Sequence, residues 1–104
     1  MPDRYRIRIM PRASNAIVAI CTRIERDSPQ NAAAVAQKLL DAIDSLDILP
    51  RRFKVHEHRK DPAKTVHSMP VPPFIIYYRV VDRHHVVEIV ALLDGRRRQP
   101  RRFR

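Results

Sequence analysis

The chain has 104 residues, enough for one domain around one modest core, and at 44% hydrophobic and 31% charged it is a globular sequence and not a disordered one. A single cysteine, Cys21, excludes an intrachain disulfide framework and a cysteine-based metal site and fits a reducing cytosol. The net charge of +10 calls for an acidic partner, either nucleic acid or an acidic protein.

No charged-then-apolar signal pattern opens the chain and no apolar run approaches membrane-spanning length, so a cytoplasmic protein is expected. Arg4-Tyr5-Arg6-Ile7-Arg8-Ile9 alternates strictly and reads as a short strand. Tyr5, Ile7 and Ile9 would be buried and the three arginines would face solvent or guard an edge. Pro11 ends that strand. Ser14 or Asn15 is a candidate cap for a helix to about Asp27, with Ala16, Ile17, Ile20 and Ile24 at helical spacing. Cys21 widens that apolar stripe and reads as packing, not as a nucleophile. Ser28-Pro29 breaks the pattern and opens a second helix to about Leu46, whose apolar face is Ala32, Val35, Ala36, Leu39, Ala42, Ile43 and Leu46. Two helices so close in sequence form an antiparallel αα-hairpin.

Residues 51–65 are basic and aperiodic and read as a loop. His56-Glu57-His58 has no third ligand at a metal-site spacing, so no metal or other cofactor is expected. Val66-His67-Ser68-Met69-Pro70-Val71 alternates and predicts a strand with Pro70 near its end. Residues 74–81 and 86–93 are two β-branched runs joined by Asp82-Arg83-His84-His85, which predicts an antiparallel hairpin. With Val81 opposite Val86, Arg79 meets Glu88, Tyr77 meets Val90 and Ile75 meets Leu92. Phe74, Ile76, Tyr78 and Val80 then share a core face with Val87, Ile89, Ala91 and Leu93. The other face, with Ile75, Tyr77, Arg79, Val90 and Leu92, is apolar but interrupted by charge, as expected of a surface that meets a partner or is partly wet. Residues 95–104 carry six arginines and no acid, either a solvated tail or a functional patch. The whole is one domain, 1–104, of α+β class and order β-α-α-β-β-β, with the helix pair on one face of a mainly antiparallel sheet.

That order resembles the ParE/RelE superfamily of toxins from type II toxin–antitoxin systems, including the plasmid stabilisation group. The resemblance is carried by Ser28-Pro29-Gln30-Asn31-Ala32 at the second helix, by 66–71 followed by the Tyr-rich 74–80, and by Asp94-Gly95-Arg96-Arg97 where a His-Gly-x-Arg ending is common. Asp94 replaces that His, so any role of its imidazole is missing. The resemblance implies either of two activities. RelE-like members cut mRNA in the ribosomal A site; ParE-like members act on DNA gyrase without nuclease chemistry. RelE-like cleavage uses second-strand lysines, a third-strand arginine, a late arginine and a late tyrosine. Here those positions hold Val66 and Ser68, Ile75, then Arg96 or Arg97, and no tyrosine, Phe103 being the nearest aromatic. His67 is a possible base in a variant arrangement. One arginine and one histidine are a thin catalytic set, which favours the gyrase-binding reading over the ribosome-dependent nuclease. The resemblance also implies a hetero-oligomer with a small acidic, ParD-like antitoxin. It would use the groove between helices and sheet, or the sheet's open face, through Ile75, Tyr77, Arg79, Val90, Leu92, Arg96, Arg97 and Arg98.

Overall fold

The structure, a computed structural model, describes residues 4–103. The chain begins with strand β1 (Arg6–Ile9) and continues into helices α1 (Pro11–Asp27) and α2 (Pro29–Asp44). Strands β2 (Val55–Glu57), β3 (Val66–Val71), β4 (Phe74–Val81) and β5 (Val86–Asp94) follow. They form one five-stranded sheet of order β1-β5-β4-β3-β2. Only β1 runs parallel to its neighbour, β5. The α+β class, the antiparallel helix pair and the 74–94 hairpin are as the residue pattern predicts.

Helix α1 starts earlier than its cap residues suggest. Pro11 takes the first helical position and Met10 the cap, without a side-chain bond. A proline fits there because its fixed φ suits the first turn, whose N–H groups lack helical partners anyway. Helix α2 opens as expected, with Ser28 Oγ accepting from the Asn31 N–H at 3.3 Å. It passes into a tight turn over Ser45–Asp47 that still buries Leu46 completely. Leu39, Ile43 and Leu46 pack with Met69, Phe74, Ile76, Tyr78, Val80, Val87 and Ile89 between helices and sheet. Tyr78 donates its hydroxyl to the Pro50 carbonyl there, and burial pushes its pKa up to about 12.

Two expectations are corrected. Residues 51–65 are not all loop: Val55–Glu57 pairs with β3 as the outermost strand, too short to leave a period in the sequence. The hairpin register begins as predicted, Val81 opposite Val86 and Arg79 opposite Glu88, but shifts between Tyr78 and Tyr77. Val90 is an extra residue there, so Tyr77 meets Ala91, Ile76 meets Leu92 and Ile75 meets Leu93. A bulge puts two consecutive side chains on one face and inverts everything after it. Leu92 therefore joins the helix-side core, while Val90, Ala91 and Leu93 lie on the other face. No alternation rule shows such an insertion within an all-apolar run.

Gly95 sits where β5 turns. Its N–H donates to the Pro73 carbonyl at 2.7 Å, and a Cβ there would lie 3.0 Å from the same oxygen. Gly95→Ala is expected to force the 73–95 contact apart and to cost about 1–3 kcal/mol, read as a lowered thermal midpoint with unchanged circular dichroism.

Among the described residues no helix is long and apolar enough to cross a membrane, and no group of three His, Cys, Asp or Glu could hold a metal.

Candidate partner-binding groove

On α1, Ala16, Ala19, Ile20 and Arg23 fall at positions i, i+3, i+4 and i+7 and so share one face. The small alanines leave a low wall against the end of the hairpin. The result is a groove of about 310 Å³ with Ile20, Phe74, Leu92 and Leu93 among its apolar lining and Arg23 and Arg97 among its charges. Leu93 and Arg97 also line an adjoining hollow of about 470 Å³ with Arg12, Arg98 and Pro100. Together they make one channel, apolar at its base and edged by four arginines. None of Arg12, Arg23, Arg97 and Arg98 forms an ion pair among the described residues. The one acid of the channel, Asp94, is already engaged. Arg96 grips it with Nη2–Oδ2 at 2.7 Å and Nε–Oδ1 at 3.1 Å, and the Arg96 N–H adds a third bond. The guanidinium of Arg96 and that N–H hold the carboxyl well below the usual carboxylate range.

Arg97, Arg98 and Leu92 thus belong to this channel. The other expected docking residues do not. Tyr77 and Val90 lie on the opposite face of the sheet, 1% and 8% exposed, beneath the chain's own tail. Residues 99–103 do not trail into solvent; they fold back across that face. Tyr77 donates its hydroxyl to Gln99 Oε1 at 2.6 Å. His56 Nε2 meets the Pro100 carbonyl at 2.6 Å. Phe103 buries its ring 4.5 Å from that of Tyr77, and its N–H donates to Glu57 Oε1 at 2.8 Å. That N–H depresses the Glu57 pKa, and burial raises that of Tyr77. A patch predicted as open is therefore covered from within, because a single tail aromatic supplies its missing apolar lid. Arg104, the sixth tail arginine, lies outside the described residues. Ile75 is half-buried beside Gly95. Arg79 faces Glu88 across the hairpin with Nε 3.8 Å from Oε1, an ion pair too long for a hydrogen bond.

The residues that would make a nuclease do not assemble. His67 is buried on the helix side, its Nδ1 against the Phe53 carbonyl at 3.1 Å and its ring stacked on Tyr78 at 5.3 Å. Arg96 and Arg97 stand beyond the far end of the hairpin, past Asp94, whereas His67 pairs with Tyr78 in its middle. Val66 and Ser68, at the positions where lysines would serve, are buried as well. Arg12 and Arg23 were the residues not singled out from sequence. Their signal was present: eleven positions apart, three helical turns, they lie on one face with Ala16 and Ala19 between.

The two-helix, five-strand architecture is that of solved toxin–antitoxin structures. A chain of the chromosomal ParDE system from P. aeruginosa superposes with a TM-score of 0.68 at 15% identity, covering 88% of this chain and 97% of that one. A chain of the archaeal RelE–RelB complex from Pyrococcus horikoshii OT3 gives 0.63 at 18%, covering 90% and 98%. One from the RelBE2 complex of Mycobacterium tuberculosis gives 0.55 at 22%, covering 88% and 91%. These likenesses place the fold among the ParE/RelE toxins. A search of curated proteins found no match. Residues 7–99 match the family described as the ParE toxin of type II toxin–antitoxin system, parDE, and the chain belongs to that family.

Proposed function

We propose that this ParE-family toxin arrests growth by binding and inhibiting DNA gyrase, not by cutting RNA, and that an acidic antitoxin neutralises it. The observation that carries the reading is the dispersal of the nuclease set. Cleavage through a 2′-hydroxyl needs a base and phosphate-stabilising cations at one point, whereas His67 is enclosed in the core and Arg96 is spent on Asp94. What remains accessible is a surface suited to binding. The channel beside α1 offers apolar depth and four arginines without carboxylate partners, which fits an amphipathic acidic segment that folds as it binds. Antitoxins appear with the toxins in the neighbouring ParDE and RelE–RelB structures, in keeping with such a partner here.

The test is induction of the toxin in growing cells. Growth arrest with intact mRNA and accumulating gyrase-linked DNA breaks is the expected result. Primer extension that shows codon-positioned cuts would replace this reading with ribosome-dependent cleavage.

A further inference from the structure

The tail carries its arginines to two different places. Arg97 and Arg98 end at the channel. Arg101 and Arg102 cross the sheet and reach β2, where with Glu57, His58 and Arg59 they line a separate hollow of about 490 Å³. The loop that continues from Arg59 adds exposed Lys60 and Lys64. It is held in shape by Thr65, whose Oγ1 accepts from the Arg59 N–H at 3.0 Å and donates to the Arg59 carbonyl at 3.1 Å.

We propose that this β2 edge, centred on Arg101 and Arg102, docks the sugar–phosphate backbone of duplex DNA. The inference goes beyond gyrase inhibition and does not depend on it. Its first support is uncompensated charge. Among the described residues Glu57 is the only acid lining the hollow, its Oε1 taken by the Phe103 N–H and its Oε2 by Arg59 at 3.2 Å, while Asp61 in the adjoining loop accepts from the Ala63 N–H at 2.9 Å. Arg101, Arg102, Lys60 and Lys64 form no ion pair among the described residues. Guanidinium groups are the planar forks that pair with phosphate oxygens. Its second support is what the surface lacks. A protein interface is anchored by buried aromatic and apolar side chains, and here Val55 is the single exposed large apolar residue of the strand. Single-stranded nucleic acid is held by aromatic side chains that stack on bases. The nearby rings of Phe103 and Tyr77 are buried against each other. Among the described residues the one exposed ring of the hollow is that of His58, with no exposed Phe or Tyr and no apolar anchor, so the cations match a duplex backbone better than a run of stacked bases. The pinned tail also fixes Arg101 and Arg102 beforehand, which lowers the ordering cost of binding.

Fluorescence anisotropy with the full chain and a short labelled DNA duplex tests this across a salt series. Arg101 and Arg102 on phosphates predict a slope of log K against log salt near −2, about 0.9 per contact. The double variant Arg101→Gln/Arg102→Gln should flatten the slope by about 2 and weaken low-salt binding about tenfold or more. Arg6→Gln/Arg8→Gln removes the same charge from β1 and should change the slope by less than about 0.5. Antitoxin binding should survive the tail variant, because the channel lies at the other end of the tail, so failure here is separable from failure of the toxin reading. Equal losses in both variants, no duplex binding at low salt, or tighter binding of single-stranded RNA or polyglutamate through the same arginines would each overturn the assignment.

Discussion

Replacing Phe103 with alanine is expected to release the tail and return one tyrosine to ordinary titration. In the native chain Tyr5, Tyr77 and Tyr78 all titrate above the usual 10.0. Tyr5 is held there by its bond to Asp82, at 2.7 Å, and Tyr78 by burial. Tyr77 owes its shift to burial alone, and Phe103 is its lid. Truncating a buried Phe costs about 3–5 kcal/mol where the cavity cannot close. Here the loss is capped by the docking energy of the tail, since the tail can undock locally without unfolding the sheet. Spectrophotometric titration of Phe103→Ala should show one phenol near pH 10 that the native protein lacks; an unchanged profile would mean that something else buries Tyr77. Acid should act at the second anchor. The Phe103 N–H lowers the Glu57 pKa from an ordinary 4.5, so its contribution is present above that value and lost as pH falls through the depressed one. Hydrogen exchange at the Phe103 amide should accelerate over that acid range while the strands stay protected.

Reversing two channel arginines, Arg23→Glu with Arg97→Glu, is expected to abolish antitoxin control while leaving the toxin folded. Both side chains are exposed and unpaired within the described residues, so the fold loses little. Against an acidic partner each change removes an attraction and adds a repulsion. Losing one buried interfacial charge pair costs about 2–5 kcal/mol, so the pair should weaken binding by at least about a hundredfold. Calorimetric titration with the cognate antitoxin measures it, and cells that co-express both proteins should no longer be rescued. An affinity within about threefold of native would remove the channel from the interface.

Much of the fold was legible because its signals are periodic. The i, i+3, i+4 spacing of α2, its Ser28-Pro29 opening and the alternation of 66–71 each admit one reading. What escaped was non-periodic. The bulge at Val90 sits among apolar residues on both sides, so counting by twos from Val81 and Val86 carried Leu92 to the wrong face. Val55–Glu57 is too short for a period and is held only by β3. The tail read as either solvated charge or a functional patch because six arginines outweigh Gln99 and Phe103 in any composition count. Yet those two residues, with Pro100 under His56, bind it down. The site suffered most from this. Arg97 and Arg98 were legible as basic residues at a strand end, but their companions Arg12 and Arg23 needed the packing of α1 against β5 to become neighbours of the same channel.

Gyrase binding is the proposed mode of action of this chain. The most direct measurement is ATP-dependent supercoiling of relaxed plasmid by purified gyrase with increasing toxin, with and without antitoxin. Inhibition at micromolar toxin with trapped cleaved DNA, relieved by stoichiometric antitoxin, is the expected result. Undiminished supercoiling, with codon-positioned cleavage of mRNA on translating ribosomes by the same preparation, would contradict it.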